Sequence, residues 1–237
     1  MQNIHQKIAS CNWEAITEAM HRNGYAIIPR VLTGAQCDGL KAGYDHPNSY
    51  RKTVIMERYR FGLGEYRYFD YPLPEIIQNI RESVYPKLAP VANTWMQVLN
   101  IDTRYPDTFK ELQAQCHAGG QLKPTPLILK YGPGGFNTLH QDLYGDIYFP
   151  IQTVLFLNRA DEDYTGGEFV LVQQTPRAQS KAIVLKPNKG DMLIFTTNFR
   201  PVKGSKGYHR VNMKHGVSEV RSGERYTLGV IFHEALS

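Results

Sequence analysis

The sequence predicts a mainly β fold with a helical N-terminal part, an α+β chain whose second half is a jelly roll. Three observations lead there. From Pro124 onward the chain breaks into short β-rich runs separated by glycine, proline, asparagine and aspartate. About eight such runs can be counted, the strand number of a jelly roll. Before Pro124 the punctuation is that of capped helices with one early strand. The expected architecture is a cupin-like double-stranded β-helix buttressed on one face by helices.

Taken in order, Asn12 caps a helix over Trp13, Ile16 and Met20 that stops near Gly24. Tyr25 to Ile28 form a short apolar strand ended by Pro29. Thr33 with Gln36 has the spacing of a capping box, opening a second helix through Cys37 and Leu40. Further helices are expected over 74–85, 91–99 and 107–117, and the Gly119-Gly120 pair closes this half. The β runs then fall at 127–131, 136–143, 148–157, 168–173, 182–185, 192–197, 210–220 and 225–233. A length of 237 residues suits one structural domain. Within it, 1–123 form a helical region packing on the barrel and contributing to the substrate entrance, and 124–237 the catalytic core.

Hydrophobic residues at 42% and charged residues at 21% place the chain with globular proteins rather than disordered ones. No run approaches the roughly 18 apolar residues of a membrane span. Lys7 and Glu14 interrupt any leader-like apolar stretch, so the expected compartment is the cytoplasm, with no membrane partner. Cys11, Cys37 and Cys116 are widely spaced with no C-x-x-C pair, which argues for reduced thiols and against zinc. A net charge of +5 is a slight bias toward anionic partners such as nucleic acid or acidic metabolites.

Chemistry concentrates in two places. His140 and Asp142 flank Gln141 on a predicted strand, and period-two alternation sends both side chains to one face. Two histidines and one carboxylate with open positions form the facial arrangement of non-haem Fe(II) sites. Toward the C-terminus, His215 begins the pattern H-x-V-x-x-V-x-x-G-x-R-x-x-L, with Gly223 as the turn that folds Arg225 back toward His215. Arginine's planar fork suits bidentate recognition of a carboxylate, and Thr227 shares its strand face. His209 competes as third ligand, but six positions from His215 on one strand the two cannot both face a single ion without a bulge. His21, His46, His117 and His233 have no ligand-like partner at short spacing and read as surface or core residues. The glycine run after Tyr131 lacks the lysine and following helix of a phosphate loop.

On these motifs, together with Tyr131-Gly132-Pro133-Gly134-Gly135, Gly166-Gly167-Glu168-Phe169 and the Gly190-Asp191 turn, the chain resembles the 2-oxoglutarate/Fe(II) dioxygenase superfamily over about Pro124 to His233. More narrowly it is similar to a bacterial prolyl-hydroxylase-like group also labelled as predicted nucleic-acid oxidative demethylases. The resemblance implies Fe(II) held by His140, Asp142 and His215, with His215 preferred to His209. It also implies 2-oxoglutarate anchored by Arg225 with Thr227 and faced by Tyr131. Dioxygen is the second co-substrate, and a substrate C–H bond is hydroxylated with release of succinate and carbon dioxide.

Three functions stay open: a hydroxylase of a prolyl, peptide or small amino-acid-like substrate; an oxidative demethylase of alkylated nucleobases in DNA or RNA; and a non-catalytic cupin-like binding module. The ten-position step from His215 to Arg225 resembles prolyl hydroxylases, whereas base demethylases carry a longer interval and more arginines. An intact ligand set with Arg225 speaks against the binding module. Arg58, Arg60 and Tyr66 lie in a basic and aromatic segment, 51–69, that suits either a surface stacking bases or a packed lid whose arginines pair with Glu57, Glu65 and Asp70. The basic stretch 200–207 can line the same entrance. Tyr144, Asp146, Tyr148 and Phe149, just after Asp142, are further candidates for substrate contact. The oligomeric state is not legible in the sequence.

Overall fold

A computed structural model describes residues 3–236. Asn3 opens α1 (Ile4–Ala9), and Asn12 caps α2 (Trp13–Asn23) by accepting from the Ala15 N–H. Gly24, in the left-handed region at φ +79°, ends α2 and lets the chain enter β1 (Tyr25–Ile28) at once. The Thr33–Gln36 capping box forms as the spacing predicts and opens α3 (Gly34–Ala42). Over a stretch with no expected element, β2 (Tyr50–Ile55), β3 (Gly62–Leu63) and β4 (Glu65–Phe69) follow. The segments expected as two helices at 74–85 and 91–99 are a single helix, α4 (Glu75–Val98), running through Pro86 and Pro90. Both prolines and Glu82 lie on its outer side, where the carbonyls left unbonded stay open to water. A second capping box, Thr108 with Glu111, opens α5 (Phe109–Ala118).

The second half supplies β5 (Leu127–Tyr131), β6 (Phe136–His140), β7 (Ile151–Phe156), β8 (Tyr164–Gly166), β9 (Phe169–Gln174) and β10 (Lys181–Leu185). After them come β11 (Met192–Thr196), β12 (Phe199–Gly204), β13 (Gly207–Val217), β14 (Val220–Gly223) and β15 (Arg225–Val230). The large sheet has the order β1-β11-β7-β15-β5-β4-β2, and the facing sheet β10-β9-β13-β6-β3 with β12 on β13. A short third sheet pairs β14 with β8. Every pairing between two of these strands is antiparallel, the double-stranded β-helix that the strand count predicts. Three strands of the first 123 residues belong to the large sheet.

Strand alternation divides the large sheet into two functional faces. Ile128, Ile151, Leu155, Met192, Ile194, Leu228 and Val230 face outward into one core with Ile77, Val84, Leu88 and Trp95 of α4. Burying each such side chain contributes roughly 1.5–3 kcal/mol, so the helices are held by the sheet they cover. The opposite parity faces the second sheet, where Val154, Phe156, Leu193 and Phe195 meet Phe169, Leu171 and Met213. On that inner face lie Tyr131, Gln152, Arg225 and Thr227, at the end of the sandwich left open as a pocket. Among the described residues no helix is long and apolar enough to cross a membrane.

Candidate metal centre and co-substrate pocket

His140 and His215 are directly paired across β6 and β13, which brings their rings to a centroid distance of 4.2 Å. The register shifts immediately after His215, where a Cβ on Gly216 would stand 2.6 Å from the Asn137 carbonyl oxygen. Glycine is what allows the two strands to approach there. The β6 strand ends at His140, so Asp142 lies just beyond it rather than within the strand expected from the sequence. Its place is held instead by side chains. Its N–H donates to Thr197 Oγ1, and the neighbouring Gln141 amide donates to the Asn198 and Met213 carbonyls.

The three side chains converge: Asp142 Oδ1 lies 3.5 Å from His140 Nε2, and Asp142 Oδ2 lies 3.2 Å from His215 Nε2. Donors about 2.1 Å from one ion and at right angles are roughly 3.0 Å apart, so both aspartate–histidine spacings are close to those of ligands that share one ion. Protonation states fit too. His140 Nδ1 donates to the Thr138 carbonyl at 2.8 Å, so Nε2 is the ring nitrogen that faces Asp142. Burial, with His140 beside it, pushes the His215 imidazole below its ordinary value. Burial also pushes the Asp142 carboxyl upward, but His140, His215 and Gln152 outweigh it and hold the group well below the usual carboxylate range. An ionised carboxylate and neutral imidazoles are the forms that bind a metal.

Two residues steady Asp142. Gln152 Nε2 donates to Oδ2 at 2.8 Å and lies 3.4 Å from His215 Nε2; Tyr144 donates to Oδ1 at 3.0 Å and accepts from Tyr68. Tyr144, read from the sequence as a substrate contact, is thus tied to the carboxylate as well as lining the pocket. Gln152 was not singled out by its sequence. Its one signal is a long polar side chain at an inward position of the run Ile151–Phe156, whose other inward residues, Val154 and Phe156, are apolar.

The pocket has a volume of about 240 Å³. Arg225 lines it at 1% exposure, with Nε and Nη2 buried and without hydrogen-bond partners and Nη1 in a long 3.5 Å contact with Thr227. No carboxylate lies within 4.0 Å of it among the described residues. The guanidinium is framed by the Tyr131, Phe156 and Tyr164 rings at 5.6, 5.5 and 6.0 Å. Its stem passes Gly167, where a Cβ would stand 2.9 Å away. A buried arginine with two free donors, facing a metal-type triad across a small pocket, fits a ligand carboxylate. Tyr131 is fully buried in the same wall, its hydroxyl accepting from Asn137.

Other expected site residues are placed elsewhere. His209 is exposed on β13, opposite Val202, away from the triad. Asp146 is exposed and lines a different cleft, because the turn at Gly145 carries it off the pocket. Arg58 and Arg60 are exposed and absent from the pocket wall, since the short helical turn Met56–Tyr59 projects them outward. Tyr66 does line the pocket. The rest of segment 51–69 mixes the two expected surfaces: Arg67 pairs with Glu65 and covers Tyr44, Arg51 covers Tyr68, and Tyr59 and Phe61 stack in the open.

The sequence model of the family Oxygenase-NA, described as an oxygenase catalysing oxidative methylation of damaged DNA, matches residues 64–235. The uncharacterized protein Rv2227 of Mycobacterium tuberculosis strain H37Rv is 46% identical over 167 residues, 70% of this chain and 72% of that protein. Among solved structures, a prolyl-4-hydroxylase of Pseudomonas putida superposes with a TM-score of 0.56 at 15% identity, covering 94% of this chain and 98% of the other. An oxidoreductase of the 2OG-Fe(II) oxygenase family from Burkholderia pseudomallei gives 0.53 at 14% identity, covering 95% and 94%. At such identity these structures bear on the fold, and the family match bears on membership. The chain belongs to the Oxygenase-NA family and is a 2-oxoglutarate/Fe(II)-dependent oxygenase.

Proposed function

We propose that this oxygenase oxidises an alkyl C–H bond on a nucleobase presented in single-stranded or extruded form. The observation that carries the reading is the charge of the pocket. Besides the triad, Arg225 is the one charged residue on its wall among the described residues, and the remainder is aromatic, aliphatic or neutral polar. A free amino acid would bring an ammonium and a carboxylate with nothing left to pair them, so the small amino-acid-like substrate expected from the sequence is not preferred. A flat neutral ring is accepted readily by Tyr66, Tyr68 and Leu129. The exposed Tyr59–Phe61 stack beside Phe61's contribution to the wall, and Arg58 and Arg60, which form no ion pair among the described residues, suit stacking and phosphate contact outside it. The family description, which names damaged DNA, points the same way.

In this reading His140, Asp142 and His215 hold the iron, and Arg225 with Thr227 holds the distal carboxylate of 2-oxoglutarate against Tyr131. Iron with 2-oxoglutarate and dioxygen supplies the oxidant for C–H hydroxylation, releasing succinate and carbon dioxide. Gln152 and Tyr144 keep both carboxylate oxygens of Asp142 oriented, and the aromatic wall excludes water from the reacting carbon. Hydroxylation of an N-methyl carbon gives N–CH2OH, which releases formaldehyde and restores the N–H.

The pocket's neutrality also admits a prolyl ring in peptide linkage, so one assay must carry both substrates. Protein loaded anaerobically with Fe(II) is given 2-oxoglutarate and dioxygen with N-methylated oligonucleotides, proline-containing peptides or free amino acids. The expected result is succinate and formaldehyde in equal amounts with the oligonucleotides alone. Substrate-dependent succinate with peptides, and none with oligonucleotides, refutes the nucleobase reading in favour of the prolyl one.

A further inference from the structure

Away from the metal pocket, α2, the last turn of α4 and β12 enclose a second cleft of about 620 Å³, and it shares no lining residue with the metal pocket. At its wall lies Arg200, 8% exposed. Its Nη2 donates to Gln173 Oε1 at 2.9 Å, its Nε is buried without a partner, and no carboxylate lies within 4.0 Å of it among the described residues. Burial lowers the guanidinium's pKa with no neighbouring carboxylate to offset the effect. A buried cation left this way is costly unless something pairs with it. The carbonyl end of α2 accounts for part of its placement, since Arg200 packs over Gly24, where a Cβ would stand 2.5 Å from its Cδ. Nε lies beside the same glycine, 3.2 Å from that Cβ position.

Other donors converge on the same cleft. Trp95 Nε1 donates to His21 Nδ1 at 2.9 Å, so the proton of the neutral His21 ring is on Nε2 and available to a ligand. Arg22 and Lys203 line the wall, and neither forms an ion pair among the described residues. Glu18 is the single carboxylate there among the described residues. The surrounding sequence is one-sided: from Met192 to Ser218 there is no aspartate or glutamate, against Arg200, Lys203, Lys206, Arg210 and Lys214.

We propose that this cleft binds a phosphate group, with Arg200 as its buried anchor and His21, Arg22 and Lys203 closing around it. The group is either that of a free phosphorylated compound or a backbone phosphate of nucleic acid, and the site stands whether or not the nucleobase reading of the metal pocket does. Titration of the intact protein with inorganic phosphate, followed at the Trp95 indole N–H resonance, should give a saturable shift. Arg200→Gln should raise the half-saturating concentration roughly tenfold or more. Lys203→Glu, on an exposed position that carries no core packing, should weaken binding in the same direction. Arg225→Met should leave it unchanged. A second arm adds oligothymidylate: competition with phosphate at the same resonance identifies the nucleic-acid backbone as the source, and its absence identifies a free phosphate compound. No shift in the wild type, or an unaltered shift in both cleft variants, overturns the proposal.

Discussion

Replacing Arg225 by methionine separates a ligand anchor from a structural cation. The guanidinium is 1% exposed, two of its nitrogens have no partner, and its one polar contact is a 3.5 Å approach to Thr227. In that state it contributes little to folding, so ligand-free Arg225→Met should be within about 1 kcal/mol of the wild type or above it. With 2-oxoglutarate the comparison reverses. Two charge-assisted bonds to one carboxylate, at about 1.5–3 kcal/mol each, correspond to roughly 10²- to 10⁴-fold in affinity. At a hundred times the dissociation constant, the wild type gains about 2.7 kcal/mol. For a chain of this length that is roughly 5–10 °C in Tm. Thermal unfolding of the anaerobic Fe(II)-loaded protein, with and without 2-oxoglutarate, measures both effects. A full ligand-induced shift in Arg225→Met removes Arg225 from the co-substrate site. A ligand-free loss of several kcal/mol assigns it instead to the aromatic frame of Tyr131, Phe156 and Tyr164.

Gln152→Leu should weaken divalent metal binding by roughly 10- to 100-fold while leaving the fold intact, because it removes the donor that orients Asp142 Oδ2; an unchanged affinity by calorimetry with Mn(II) contradicts that role. Gly216→Ala forces a methyl group against the Asn137 carbonyl oxygen. It should cost about 1–3 kcal/mol and separate His140 from His215, read as joint loss of Tm and metal binding; a stable variant with full metal affinity shows that β6 can yield. Burial holds the His233 imidazole down at about 3, below its ordinary 6.5. The unfolded chain therefore takes up a proton in that window and the native state does not, so stability falls as pH drops from 6.5 toward 3, by at most about 1.4 kcal/mol per pH unit. His233→Asn, which keeps an acceptor for the Phe149 N–H, should flatten the slope; an unaltered slope places its origin in other groups.

The parts of the fold that could be read from the sequence are those decided locally. The Thr33 capping box, the Gly24 stop and the run 127–131 each depend on a few neighbouring residues, and each appears where the pattern puts it. Strands β2 and β4 were not legible because their residues mix charge with tyrosine, and what makes them strands is the edge of β5 that they extend. The prolines of α4 read as breaks because propensity ignores the sheet that its inner face covers. At the site, the H-x-D pair, His215 and Arg225 stood out by residue type and spacing. Gln152 did not, since its meaning comes from Asp142 across the pocket. Asp146 misled for the opposite reason: its nearness in sequence to the pocket is undone by a turn at Gly145.

The position of β15 has a consequence for synthesis. It is the last strand of the large sheet to be made, yet it lies at the sheet's centre, between β7 and β5. Until it emerges, a nascent chain carries two half-sheets whose open edges face each other, both able to pair with the wrong partner. The strand that joins them also delivers Arg225 and Thr227 to the pocket. Completion of the sheet and arrival of the arginine proposed to anchor the co-substrate are therefore one event, and a nascent chain stalled before Arg225 holds the three residues of the triad in its sequence without the sheet that shapes their pocket.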